Sequence, residues 1–144
     1  MGAVTVDGGK GTVELAEGVL HLIWKPGTVL EAEDVRAAIA TVNEIAEGVE
    51  YPMLIDITNT QSVTRQAKAM FSTKCAASRI ALLGSNPVSR VIANFAMARR
   101  TRPCPTRFFA SREEAMTWFV QPLYPDSVER TLKSYRGQIG SVGA

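Results

Sequence analysis

The stretch Val19-Leu20-His21-Leu22-Ile23-Trp24 decides the fold. Leu20, Leu22 and Trp24 share one face of an extended chain, and Val19, His21 and Ile23 share the other, because side chains alternate along a strand. Both faces are mostly apolar, as in a sheet covered on both sides, so an α/β layer arrangement follows. Upstream, Thr12 to Leu15 reads as a second strand joined through Ala16-Glu17-Gly18, whose glycine suits the positive φ of a tight hairpin.

Downstream the period becomes helical. Val35, Ala38, Ile39, Val42 and Ile45 form one stripe, with Glu33 and Asp34 in the first turn and Gly48 as the stop. Tyr51 to Ile57 is a short buried strand running into polar Thr58-Asn59-Thr60-Gln61. Ala67, Met70, Phe71 and Cys75 mark a second helix, and Arg79 to Leu83 a further strand ended by Gly84-Ser85-Asn86-Pro87. Pro87 suits a first helical position, and Val88, Val91, Ile92, Phe95 and Ala96 predict a third helix ending near Arg99. Pro103 and Pro105 frame a connection into a strand over Thr106 to Ala110. Ser111, with a carboxylate three residues on, then caps a fourth helix carrying Ala115, Trp118 and Phe119.

The predicted order is ββαβαβαβα: a mixed, mostly parallel sheet with an antiparallel N-terminal hairpin and four main helices. Residues 1–11, rich in glycine, read as a flexible arm, 12–121 as the domain, and 122–144 as a C-terminal extension with Pro122, Pro125 and a glycine-rich end. The 144 residues, 46% apolar and 21% charged, suit one globular domain able to bury a core without staples. Cys75 and Cys104 have neither CxxC spacing nor a histidine cluster, so no metal, disulfide framework or cofactor is expected, and a reducing cytoplasm is the default compartment. A net charge of +2 is too small to mark a nucleic-acid binder, and no apolar run reaches the roughly 18 residues of a membrane span.

Several segments in this order resemble the STAS superfamily, in particular the stand-alone SpoIIAA-like proteins, which are similar to the sporulation anti-sigma-factor antagonist. They are Val19 to Trp24, Leu30-Glu31-Ala32-Glu33-Asp34, Met53-Leu54-Ile55-Asp56-Ile57, Arg79-Ile80-Ala81-Leu82-Leu83, and Arg107 to Ala115 leading to Trp118. The resemblance implies a non-enzymatic regulatory or protein-interaction domain, with a protein partner or a second copy of itself in a homodimer. Kinase-controlled antagonists carry an Asp-Ser-Ser-Gly-like turn at the helix after the Asp-bearing strand. Here that stretch is Thr64-Arg65-Gln66-Ala67, without the switch serine; Ser62 and Thr64 read as loop and N-cap residues, the alternative being that one of them takes a phosphate at the helix N-terminus.

Candidate binding residues are Asp56, Thr58, Ser62 and Thr64 after the central strand, where open α/β sheets place ligands, and the cluster Arg99, Arg100 and Arg102, whose forks suit an acidic partner. The plainer readings are a turn-capping Asp56 and cations closing a helix C-terminus. SpoIIAA-like chains are also similar in fold to CRAL-TRIO lipid carriers. Met70, Phe71, Phe95, Met97 and Trp118 are therefore candidates for an apolar pocket holding a lipophilic ligand, against the alternative that they are closed core. His21, the single histidine, sits mid-strand and reads as a packed, hydrogen-bonded residue; Glu33-Asp34 and Glu113-Glu114 read as solvated first-turn acids; Lys10, in Gly8-Gly9-Lys10-Gly11-Thr12, precedes a strand and so cannot belong to a P-loop. No catalytic set of nucleophile, base and orienting group assembles from these residues, so no enzymatic activity is expected.

Overall fold

The computed structural model describes residues 2–70, 73–87, 89–91, 94 and 104–122. The chain enters through β1 (Val4–Thr5), β2 (Gly11–Ala16), β3 (Val19–Trp24) and β4 (Val29–Leu30), then helix α1 (Ala32–Ala46). β5 (Tyr51–Asp56), β6 (Ser62–Val63), α2 (Arg65–Ala69) and β7 (Ala77–Leu83) follow. A third helix, α3, has described residues 87, 89–91 and 94. β8 (Thr106–Phe109) and α4 (Arg112–Phe119) complete the described chain.

Six strands pair in the order β1-β2-β3-β5-β7-β8. The first two pairings are antiparallel and the remaining three parallel, the mixed sheet expected from the sequence. At the hairpin tip both Glu17 and Gly18 take positive φ, 53° and 76°, the backbone of a two-residue turn whose twist matches the flanking strands. β4 and β6 form a separate parallel pair that ties the entry to α1 to the entry to α2. Strands of two residues carry no periodic signal, so neither was visible in the sequence.

The alternation in β3 sorts the interior into two cores. Leu20, Leu22 and Trp24 pack with Met53 and Leu82 under Ala38 and Val42 of α1. On the opposite face Leu54, Ala81, Leu83 and Phe109 pack under Ala115, Trp118 and Phe119 of α4. This second face is less completely covered, because Ile23 keeps 41% of its surface in solvent.

Three expectations are corrected. The segment expected as a loose arm over 1–11 is held in place from Val4 on: Val4 and Thr5 pair with Val13 and Thr12, and Val6 is 1% exposed within the first core. Asp34 is not solvated but 6% exposed. Its Oδ2 accepts the Glu31 backbone N–H at 2.9 Å, closing a capping box, and meets Lys10 Nζ at 2.8 Å. Lys10 also donates to Val29 O at 3.1 Å, so the glycine-flanked lysine fastens the N-terminal turn to the start of α1. Finally, α2 stops at Ala69 and Cys75 lies in the connection to β7, where Ala77 N donates to Cys75 O.

Candidate functional site

Parallel strands end at the same edge of a sheet, so the loops after β3, β5 and β7 and the N-terminus of α4 converge there. Asp56, the last residue of β5, accepts the Thr58 N–H on Oδ1 at 2.9 Å, the short-range turn that aspartate forms with its own loop. Its Oδ2 lies 4.0 Å from Arg112 Nη2 at the start of α4. The Thr58 carbonyl accepts from the Asn86 side-chain amide. Asn86 in turn opens α3: its Oδ1 accepts the Ser89 N–H at 2.8 Å, while Ser89 Oγ donates to Asn86 O at 2.9 Å. Gly27 N donates to Asn59 O at 2.8 Å, joining the β3 loop to the same surface.

The structure therefore brings Asp56 and Thr58 together with Asn86 and Arg112. Ser62 and Thr64 stand apart, on the β4–β6 side. Ser62 is exposed in β6, whereas Thr64 caps α2, its Oγ1 accepting the Ala67 N–H at 3.2 Å and its own N–H reaching Leu30 O at 2.9 Å. Arg99, Arg100 and Arg102 lie outside the described residues. Sequence reading passed over Asn86 and Arg112. The pattern Asn86-Pro87-Val88-Ser89 does carry a capping signature, but nothing local shows that the Asn86 amide also crosses to another loop.

Of the expected pocket residues, the two that are described, Met70 and Trp118, do not converge. Met70 borders the space between the sheet and α1, whereas Trp118 belongs to the core on the other face, its ring 5.6 Å from that of Phe109. Strand alternation separates them; helical spacing alone gives no sign of which sheet face a helix covers. Phe71, Phe95 and Met97 lie outside the described residues. The space beside Met70 has a volume of about 110 Å3, bounded by Leu22, Trp24, Ala38, Ile39 and Cys75 among others. Burial pushes the Cys75 thiol pKa upward, which keeps it neutral and poorly reactive.

His21 lies opposite Glu14 and Leu54, half-buried, and no hydrogen bond to its ring arises among the described residues, contrary to the expected partner. Burial lowers its pKa first and the Arg112 charge second, against the pull of Glu14 and Glu17. The unfolded chain then binds the proton more readily. The histidine's contribution to stability is complete above the unfolded value of 6.5 and is lost as pH falls through it toward the lower folded value. Thermal melts between about pH 7.5 and about pH 5.5 should show a steeper acid loss for the wild type than for His21→Gln. Equal slopes would remove His21 from the pH response.

Among the described residues no group of three histidine, cysteine or acidic side chains is placed to hold a metal. Nor is any helix there long and apolar enough to cross a membrane.

No curated protein matches the sequence. The crystal structure of an uncharacterised DUF3478-family protein from Shewanella loihica PV-4, which has a SpoIIAA-like fold, aligns with a TM-score of 0.52 and 20% identity, covering 76% of this chain and 91% of that one. The fold is thus SpoIIAA-like, as the order of segments in the sequence implied. A protein of unknown function from Arthrobacter sp. FB24, known from its crystal structure, is 43% identical, covering 76% of this chain and 99% of that one, with a TM-score of 0.32. The family model of a domain of unknown function, DUF7793, matches residues 13–122, and the chain belongs to that family.

Proposed function

We propose that the protein is a non-enzymatic regulatory domain of the STAS-like type, acting in the cytoplasm by binding a protein partner or a second copy of itself. The observation that carries this reading is the cross-linked loop surface. Asp56 closes the Thr58 turn, the Asn86 amide bonds the Thr58 carbonyl and Arg112 stands 4.0 Å from Asp56, so the loops after β5 and β7 meet each other and the start of α4. A preformed surface loses little conformational freedom on binding, which favours recognition. Lys25, Asn59 and Ser85 are exposed on its rim and are available to a partner.

The Thr64 hydroxyl caps α2, which supports reading it as a structural residue rather than as a switch.

Native mass spectrometry of the chain taken from its own source, beside the double variant Asn59→Arg, Ser85→Arg, tests the reading. A dimer or a defined complex in the wild type, lost in the variant with the melting temperature unchanged, is the expected result. A complex that persists at wild-type level in the variant would place recognition elsewhere. A monomer carrying only a small molecule would replace the interaction reading with a carrier.

A further inference from the structure

We infer that the space between the sheet and α1 is a binding site for a small apolar molecule. The inference is independent of the loop surface. Among the described residues a recess of about 110 Å3, partly open to solvent, lies between the sheet and α1, more room than the water-sized gaps that packed interiors ordinarily leave. Leu22, Trp24, Val42, Met53, Ile55 and Leu82 are among its apolar wall residues. Among the described lining residues the polar side-chain groups are the hydroxyls of Thr73 and Thr106, the Trp24 indole N–H and the neutral Cys75 thiol. Water needs two or more polar partners to settle in a cavity, and apolar cavities of about 150 Å3 stay dry and accept benzene or xenon.

Its walls include residues of β3, β5, β7 and α1 that belong to the first core, so a ligand there would extend that core.

The test uses benzene and xenon as probes on the intact chain, followed by methyl NMR and thermal melting. Saturable shifts confined to the methyl groups of Leu22, Val42, Ile55 and Leu82 are expected with both probes. Benzene at ten times its Kd should raise the melting temperature by about 4 °C. Ala38→Leu, which extends a wall residue into the space, should abolish both responses while keeping a folded spectrum. If that variant fails to fold, Ile39→Phe fills the space from the adjacent wall position. Absence of saturable shifts in the wild type would overturn the inference, as would responses that survive filling.

Discussion

Replacing Arg79 with alanine should lower the melting temperature by about 10 °C, equivalent to about 3 kcal/mol. Arg79 is 7% exposed, and no carboxylate pairs with it among the described residues. Its guanidinium donates to Trp118 O at 2.6 Å and to Gln121 O at 2.9 Å, and Cζ stands 5.2 Å from the centroid of the Trp118 ring. A cation beside carbonyls at a helix C-terminus is stabilising, and α4 has no basic residue of its own in its last turn. Burial lowers the Arg79 pKa, yet an arginine stays charged under these conditions. Arg79→Met separates the fork from the apolar stem: most of the loss should remain, because a thioether cannot reach two carbonyls as a donor. Arg79→Lys should recover less than half of it, since an ammonium lacks the planar fork. A methionine variant melting within about 2 °C of wild type would show that packing alone holds α4 in place.

The second large effect is expected at Gly84. A Cβ added there would stand 2.5 Å from both Cβ and Oγ of Ser89 and 3.3 Å from Phe108 Cε1. Ser89 is fully buried and bonded to Asn86, so it cannot move aside without opening the start of α3. Gly84→Ala should therefore cost about 2 kcal/mol, in the range of overpacked interiors. A double-mutant cycle with Ser89→Gly identifies the cause: with the Ser89 side chain gone, the added methyl should cost less than half as much. Additive losses would assign the effect to Phe108 or to the backbone instead.

Much of this architecture was legible because it rests on local periodicity. The alternation from Val19 to Trp24, the stripe from Val35 to Ile45 and the Ser111 cap each lie within one element, and the structure has all three where the sequence placed them. What escaped depends on partners far along the chain. Lys10 is held by Asp34, 24 positions away, so a glycine-rich segment that reads as an arm becomes part of the sheet. Arg79 finds its acceptors 39 and 42 residues later, and no spacing rule announces a buried arginine that answers carbonyls rather than carboxylates. The candidate site was legible in part. Asp56 and Thr58 are at the strand end where topology predicts them, but their connection to Asn86 and Arg112 depends on how adjacent loops meet. Met70 and Trp118 fell on opposite sides of the sheet because helical period reports a stripe and not its destination.

The placement of β8 bears on how the chain is made. β2 and β3 close through a two-residue turn and can pair within microseconds, whereas each parallel pairing waits for an intervening crossover. β7 carries Ala81, Leu82 and Leu83, all buried, and its outer edge is satisfied only when Thr106–Phe109 arrives. During synthesis that edge is completed more than twenty residues after β7 emerges, a delay of roughly one to five seconds at ordinary ribosomal rates. Until then the nascent chain exposes an apolar strand with free hydrogen-bonding groups. Slow translation between Gly84 and Pro105 should therefore favour aggregation of unfinished chains without changing the stability of the finished protein.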